Sequence, residues 1–234
     1  MKAIPSNYSN QIPFHIAIDF VIFGYDEEEL KLLAAKRQST DDHQQWSLIR
    51  GFLFKNEHLE QAAARIFKEI MGHSSAHLEQ LHTYSNPDYE SGTFIISVVY
   101  YAIIRLSDQN KKLPKDLDAK WFNLKEIQEL IFDPEHIIDK AVQDLQEHAK
   151  TIPVGITLLP DKFTLTQLQA MYEAILQKKL DRGNFRKNIL SVDLLEKLDE
   201  KDKTGSRKGA WYYSFNENKF NNLIDNGVLI KISL

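Results

Sequence analysis

The chain has 234 residues, of which 43% are hydrophobic and 26% are charged, and it contains no cysteine. This length suits one large domain or two smaller ones. The absence of cysteine excludes a disulfide framework, a thiolate nucleophile and a cysteine-ligated metal site. No apolar run approaches the roughly 18 residues that span a bilayer, and the N-terminus lacks the features of a secretory signal. We therefore expect a soluble, cytoplasmic protein.

Charge is unevenly divided along the chain. The formal net charge is −4, but the stretch 158–234 carries 13 Lys and Arg against 10 Asp and Glu, a net charge of +3. The rest of the chain has a net charge of −7. Such a division favours a basic binding module attached to an acidic body.

The N-terminal part is predicted to mix strands and helices. It begins with Phe14–Gly24, a nearly continuous apolar run that is typical of a strand buried on both faces. Alternating apolar runs, turn residues and helical spacing predict the elements that follow. In chain order they are strand Leu30–Arg37, strand Trp46–Ile49, helix His58–Met71, strand Leu78–Tyr84, strand Thr93–Leu106, strand Ala119–Phe122, helix Leu124–Leu130 and helix Pro134–Lys150.

The residues after Ile152 are predicted to form a winged helix. If helix Pro134–Lys150 serves as its first helix, the order of the later elements is that of this fold. These elements are a helix opened by the capping box Thr164–Gln167, a helix from the N-cap Asp181 to about Leu190, and strands Leu194–Asp199 and Ala210–Phe215 around the polar loop Glu200–Gly209. No structure is predicted for residues 218–234.

A spaced set of residues resembles the Nudix box, in which a glycine precedes a glutamate by six positions and a helix carries arginine, glutamates and a glycine. The residues on pattern are Gly51, Glu57, Arg65, Phe67, Glu69 and Gly72. Three residues depart from it, because Ile66 and Ile70 stand where the family has glutamates and His73 stands where it has an apolar residue. The resemblance implies a Nudix-like mixed-sheet sandwich for residues 1–150.

The departures remove metal ligands from the box. In the family, the helix glutamates bind the divalent cations that polarise a pyrophosphate and activate water. In this chain Ile66 and Ile70 join the apolar stripe of the helix, which leaves Glu69. Glu57 is predicted to cap the helix start, where negative charge is favourable, and Arg65 is predicted to form a surface ion pair with Glu69. We therefore expect no hydrolase activity, no catalytic residue and no bound metal or cofactor.

A ligand pocket is expected to persist without the metal, as it does in Nudix-like regulators. By position relative to the box, the candidate ligand-binding residues are Lys36, Arg37, Trp46, Arg50, Phe52, Glu69 and Tyr84. Trp46 either stacks on a sugar or base or is a core residue, and Arg50 either binds an anion or is ion-paired. Asp19, a lone carboxylate in an apolar strand, is either an edge residue or a site residue, because burial without a partner is costly.

The segments Phe163–Leu176 and Leu180–Lys187 resemble the C-terminal domain of Nudix-related transcriptional regulators, namely the NrtR type and its sugar-responsive relatives. Together with the degenerate box, the resemblance covers nearly all of the chain. It implies an α/β (α+β) protein in which a Nudix-like effector-binding domain (1–150) is followed by a winged helix-turn-helix DNA-binding domain (151–234). Helix 134–150 is shared at the junction.

Basic and polar side chains concentrate on the elements that a winged helix presents to DNA. The predicted DNA-binding residues are Thr164, Gln167, Arg182, Asn184, Arg186, Lys187, Lys203, Ser206, Arg207 and Lys208. Side chains of these types donate to base edges and phosphates, and a basic loop suits a phosphate backbone or a minor groove. Phe185 and Ile189 are predicted to anchor the other face of the second helix. The alternative is a solvated charged surface.

These features predict a ligand-responsive repressor of sugar or nucleotide catabolism. It would bind an inverted-repeat operator in double-stranded DNA as a homodimer, without contact with a membrane. The resemblance implies an effector that is either ADP-ribose-like or a pentose such as arabinose or xylose, and the segments 46–52 and 180–187 favour the sugar-responsive branch. The alternatives are a Mg²⁺-dependent Nudix hydrolase with a fused winged helix, and a winged helix that binds protein.

Overall fold

The computed structural model of the protein describes residues 14–26, 29–37, 45–72, 78–88, 93–106, 113–114, 117–124, 134–151, 158–204, 208–228 and 230–233. Within these ranges the predicted helix Leu124–Leu130 is not covered beyond its first residue. None of the described helices combines the length and apolar character that crossing a membrane requires.

Strand β1 (His15–Tyr25) is the centre of a seven-stranded mixed sheet formed by the described residues. It pairs in parallel with β6 (Thr93–Arg105) on one edge, and antiparallel with β2 (Leu30–Arg37) and β4 (Ile49–Phe52) on the other. The remaining strands are β3 (Gln45–Ser47) and β7 (Ala119–Asn123), which pair with β2, and β5 (Leu78–Asp88), which pairs with β6. Because β1 has neighbours on both edges and is buried from Ala17 onward, the predicted two-sided burial is confirmed.

The two faces of the sheet bury separate groups of side chains. Helix α1 (Leu59–Met71) covers one face, where Ile66 and Phe67 belong to the same core cluster as Phe20 of β1. Helix α2 (Pro134–Thr151) covers the other face, where Leu145 belongs to the same cluster as Val21. Phe20 and Val21 are adjacent in sequence but lie on opposite faces, because side chains alternate along a strand.

The winged helix follows α2, as predicted. Its elements are β8 (Phe163–Thr164), α3 (Leu165–Leu176), α4 (Arg182–Ser191), β9 (Leu195–Asp202) and β10 (Ala210–Phe215), with sheet order β8-β10-β9. A further helix, α5 (Glu217–Asp225), follows the second wing strand. Both predicted caps are confirmed, since Thr164 and Asp181 each accept a hydrogen bond from the backbone N–H three residues on.

The core of the winged helix is continuous with the α2 face of the sheet. Leu145 and Ala149 on α2 are fully buried, and they share one cluster of side chains with Leu168 and Tyr172 on α3 and Phe185 on α4. The amide of Gln146 also donates to the carbonyl of Ile175 at 3.2 Å. Helix α2 therefore packs against both parts of the protein at once.

Three predicted boundaries differ from the structure. Strand β5 continues to Asp88 instead of ending at Tyr84, because its pairing with β6 extends through a segment of turn-forming residues. Strand β9 continues to Asp202, where it is paired with Ala210, so the wing is shorter than predicted. The single strand predicted at 46–49 is two short strands, because β3 pairs with β2 whereas β4 pairs with β1.

Candidate functional site

A cavity of about 410 Å³ lies beside the C-terminal half of α1, where the Nudix box folds. Its lining residues come from β4, the loop after it, α1 and the segment before β7. They are Ile49, Arg50, Gly51, Phe52, Phe54, Arg65, Ile66, Glu69, Ile70, Pro114 and Leu117. The spacing of the box residues therefore brings them to one concave surface.

The glutamate positions of the box are filled by core side chains. Ile66 and Ile70 are 4% and 5% exposed and pack into the cluster between α1 and the sheet. Gly51 allows this close approach, because a Cβ atom there would lie 2.5 Å from Cδ1 of Ile66. Replacing Ile66 by glutamate would place a buried carboxylate at this contact. The loss of the glutamates is thus built into the packing of α1.

The remaining polar residues of the box are engaged with one another. Arg65 donates from Nε to Glu57 at 2.8 Å and from Nη2 to the same carboxylate at 2.9 Å. Its Nη2 also donates to the carbonyl of Phe52 at 3.0 Å, and its guanidinium lies 4.0 Å from the ring centroid of Phe54. The hydrogen bonds from Arg65 lower the pKa of Glu57 to about 2.

Glu57 does not cap α1, which corrects the prediction made from its position. The N-cap residue is His58, and Glu57 instead accepts the backbone N–H of Phe54 at 3.1 Å while it holds Arg65. The predicted pair of Arg65 with Glu69 is present but longer, at 3.5 Å between Nη1 and Oε1. A bidentate partner eight residues upstream competes for the same guanidinium, and helical spacing alone does not reveal it.

The carboxylate of Glu69 lines the cavity and is open to solvent, since its side chain is 63% exposed. Among the described residues, no group of three or more His, Asp or Glu side chains is arranged to hold a metal ion. A single exposed carboxylate offers few of the six or more oxygen ligands that Mg²⁺ or Ca²⁺ takes.

The buried Asp19 and the partly exposed Arg50 form an ion pair on the sheet face that packs toward α2. They are register partners on β1 and β4, and Arg50 donates to the two carboxylate oxygens at 2.6 and 2.8 Å. Arg50 also lies 3.3 Å from the hydroxyl of Ser97 on β6. The Asp19 side chain is only 4% exposed, and its pairing with Arg50 explains how a carboxylate is accommodated in an apolar strand. The hydrogen bonds to Asp19 raise the pKa of Arg50.

The predicted ligand-binding residues fall into two groups. Arg50, Phe52 and Glu69 line the cavity. Lys36 and Trp46 are register partners on β2 and β3 and lie on the face of the sheet that includes Leu32, which is the face toward α2. The remaining predicted residues are Tyr84, which packs near His136 on α2, and Arg37, whose side chain lies outside the described part of the structure.

Trp46 has structural neighbours on its own face of the sheet. Its ring packs edge-on against Phe122 with 5.0 Å between centroids, and Lys120 lies 5.0 Å from the Trp46 ring. Lys36 forms an ion pair with Asp118 at 3.5 Å. The local arrangement is therefore that of a partly buried structural aromatic.

Helix α4 presents the predicted DNA-binding surface. Arg182, Asn184, Arg186 and Lys187 are exposed, while Phe185 and Ile189 on the other face are buried, as predicted. The ion pairs formed within the described ranges of the winged helix involve lysines outside this helix. The cationic side chains of α4 are thus turned to solvent on one face.

The other predicted DNA-binding residues lie around this helix with different accessibility. Thr164 is 3% exposed, and its hydroxyl contacts Gln167 within the capping box, so its oxygen is engaged at the start of α3. Lys203 and Lys208 are exposed at the two ends of the wing. Ser206 and Arg207 lie outside the described residues. Lys197 and Lys201 of β9 lie 3.8 and 4.2 Å from the ring centroid of Trp211 on β10.

Sequence reasoning missed part of the cavity lining. Phe54 is 60% exposed within the loop that connects the box glycine to Glu57, and an apolar residue in that polar turn was the available signal. Pro114 and Leu117 reach the cavity from a segment that follows β6. No local pattern indicates their position, because it depends on the path of the chain around the sheet.

The fold and the box define the class of protein. Residues 13–143 match the NUDIX domain family, so the chain belongs to the Nudix family. Residues 155–215 match the NrtR DNA-binding winged helix domain, which makes the chain an NrtR-like member of that family. The resemblance to the Nudix box and to the winged helix of the NrtR type is confirmed.

Similar proteins extend over nearly the whole chain. The ADPR responsive transcriptional repressor NtrR of Acinetobacter baylyi is 27% identical over 211 residues, which are 86% of this chain and 84% of the relative. The crystal structure of Shewanella oneidensis NrtR complexed with a 27mer DNA superposes with a TM-score of 0.75 at 26% identity, covering 94% of this chain and 99% of that one. An ADP-ribose pyrophosphatase of Methanocaldococcus jannaschii is 29% identical over 123 residues, 53% of this chain and 70% of the relative.

The contribution of the ion pair between Asp19 and Arg50 to stability can be tested by substitution. Arg50→Ala leaves the Asp19 carboxylate without its cation, so we expect the free energy of unfolding to fall by about 1–3 kcal/mol in chemical denaturation at pH 7. Lys36→Ala is the control, because its partner Asp118 is 69% exposed, and a loss below about 1 kcal/mol is expected there. Equal losses for the two variants would contradict this assignment.

Proposed function

We propose that the protein is a ligand-responsive, DNA-binding transcriptional repressor whose Nudix domain binds an ADP-ribose-like nucleotide without hydrolysing it. The observation that carries this proposal is the length of the similarity to an ADPR responsive repressor, which includes both domains in the same order. The chain's own residues support the proposal at two places, the cavity beside α1 and the exposed face of α4.

The cavity suits a nucleotide with an aromatic base and a negatively charged diphosphate. Phe54 is 60% exposed, so the side of its ring that Arg65 does not cover is available for stacking against a base. The guanidinium of Arg65 borders the same space, where it is paired with Glu57, whereas Arg50 is paired with Asp19 on the opposite face of the sheet. Because Ile66 and Ile70 replace glutamates, the residues that would assemble a catalytic metal are absent from their expected positions. The arrangement favours binding over turnover.

The winged helix suits double-stranded DNA. The exposed side chains of α4 include two arginines and an asparagine. In protein–DNA complexes, arginine typically pairs bidentately with guanine and asparagine with adenine. Lys203 and Lys208 flank the wing, where they can contact phosphates. We further propose that the protein acts in the cytoplasm as a homodimer, so that two copies of α4 read the two halves of an inverted repeat.

A DNA-selection experiment tests the proposed DNA binding. The protein is mixed with random duplexes at low salt, the bound sequences are recovered, and affinity for the selected duplex is measured. Arg186→Ala removes a donor to base edges or phosphates, and we expect it to weaken binding by about tenfold. Lys68→Ala, an exposed cation on α1, is the matched control and should change affinity less than about twofold. Recovery of no duplex by the intact protein would refute DNA binding.

Calorimetric titration tests the proposed effector and its independence of metal. ADP-ribose should bind equally well with EDTA and with Mg²⁺, and no hydrolysis product should form with Mg²⁺ over hours. Arabinose and xylose in the same assay test the pentose alternative, which would be favoured if only a pentose binds.

The hydrolase alternative makes the opposite prediction. It requires Mg²⁺-dependent turnover of a nucleoside diphosphate derivative that is abolished by Glu69→Gln, because Glu69 is the box carboxylate left on the cavity wall. Glu60→Gln, an exposed carboxylate in the first turn of α1, is the control that should leave such turnover unchanged. That pair of results would replace the proposal of a sensor by that of an enzyme.

A further inference from the structure

The C-terminal residues run back across the protein after α5. Helix α5 ends at Asp225, and Gly227 has a φ of +68°, a left-handed conformation that glycine adopts readily. The backbone N–H of Val228 donates to the carbonyl of Leu223 at 2.9 Å and closes this turn. The described residues 230–233 then lie against α2 and α4 and do not continue the direction of α5.

Residues 230–233 alternate between buried and exposed side chains. Ile230 and Ile232 are 6% and 2% exposed and belong to the core cluster that joins the sheet, α2 and the winged helix. Lys231 and Ser233 between and after them are exposed. This alternation is that of an extended segment lying on an apolar surface. The segment is therefore part of the shared core.

Two hydrogen bonds fasten the segment to two different helices. The N–H of Ile232 donates to the carbonyl of Lys150 at 2.7 Å, and this carbonyl is among the last four of α2, which have no partner within the helix. The side-chain amide of Asn188, on α4, donates to the carbonyl of Ser233 at 2.8 Å. Adjacent residues of one segment thus contact the end of α2 and the helix that carries Arg186.

The end of α2 is also held by the sheet. The hydroxyl of Tyr101 on β6 donates to Glu79 at 2.7 Å, and Nδ1 of His148 on α2 lies 2.5 Å from that hydroxyl and 3.1 Å from the carboxylate. His148 and Lys150 belong to the same last turn. A continuous set of contacts therefore runs from the effector-domain sheet through the end of α2 to residues 230–233.

We propose that residues 230–233, the C-terminal strap, hold α4 against the end of α2 and are positioning residues for DNA binding. The proposal rests on the proposed function, since it assumes that α4 contacts DNA. The strap has no contact with DNA in this account and acts by fixing the position of α4.

Two substitutions at Ile232 distinguish a specific effect of the strap on α4 from a general loss of stability. Ile232→Pro removes the N–H that donates to Lys150, whereas Ile232→Val keeps that N–H and most of the buried side chain. Hydrogen exchange of the full-length chain reports how firmly α4 is held. We expect exchange in residues 182–191 to become about tenfold faster or more in Ile232→Pro, and to stay within about twofold of the original in Ile232→Val. Val228→Ser is the control on an exposed neighbour, since Val228 is 46% exposed.

Affinity measurements add a readout that a merely structural role would not move. In Ile232→Pro, we expect affinity for the selected duplex to fall about tenfold while affinity for ADP-ribose stays within about twofold, because the cavity lies on the other side of the sheet. In Ile232→Val, both the DNA affinity and the ADP-ribose affinity should stay at the values of the original protein. If Ile232→Pro is poorly folded, two other variants replace it, namely Asn188→Ala and a chain that ends at Val228. Both remove a contact between the strap and α4, and both are compared with the original protein by hydrogen exchange in residues 182–191.

The outcomes for the strap and for DNA binding are distinguishable. Unchanged exchange in residues 182–191, or an equal acceleration in β1, would overturn the strap, because α4 would then not be held specifically by it. A protein that binds no duplex would refute the proposed function, and the exchange comparison alone would still support or overturn the hold on α4.

Discussion

Helix α2 buries apolar side chains against the sheet and against the winged helix, and this double contact determines how the two parts of the protein are arranged. Leu145 and Ala149 are fully buried in a cluster that reaches from Val21 in the central strand to Phe185 in α4. Because a close-packed core resists small displacements, a change at the sheet cannot be absorbed at a loose hinge along α2. The α2 face of the sheet and helix α4 therefore belong to one packed unit.

The Nudix box shows how a catalytic pattern becomes a packing pattern. Two positions that hold metal-binding glutamates in the enzymes are occupied by Ile66 and Ile70, and Gly51 admits Ile66 to the contact. Arg65 and Glu57 remain, but they hold each other and the loop that carries Phe54. What persists is a concave surface that carries the exposed ring of Phe54 and the ion pair between Arg65 and Glu57.

Periodicity was sufficient to predict much of the fold, and long-range pairing was not predictable. The burial of Ile66 and Ile70, the caps at Thr164 and Asp181, and the buried face of α4 all follow from spacing within about one or two helical turns. Arg50, the partner of Asp19, is 31 residues away in the sequence, and strand register brings the two together. The sequence alone therefore leaves the role of Asp19 open between an edge residue and a site residue. The same holds for Lys36 on β2 and Trp46 on β3, because whether they reach the cavity depends on which face of the sheet they occupy.

The central claim is that a nucleotide bound in the Nudix domain changes the affinity of α4 for DNA without chemistry. The most direct measurement is the DNA dissociation constant for a selected duplex, determined in EDTA with and without saturating ADP-ribose. We expect a change of about 5–150-fold, matched by an equal change in ADP-ribose affinity when DNA is bound, because binding linkage is reciprocal. An identical DNA dissociation constant in both conditions, with both ligands bound, would contradict it.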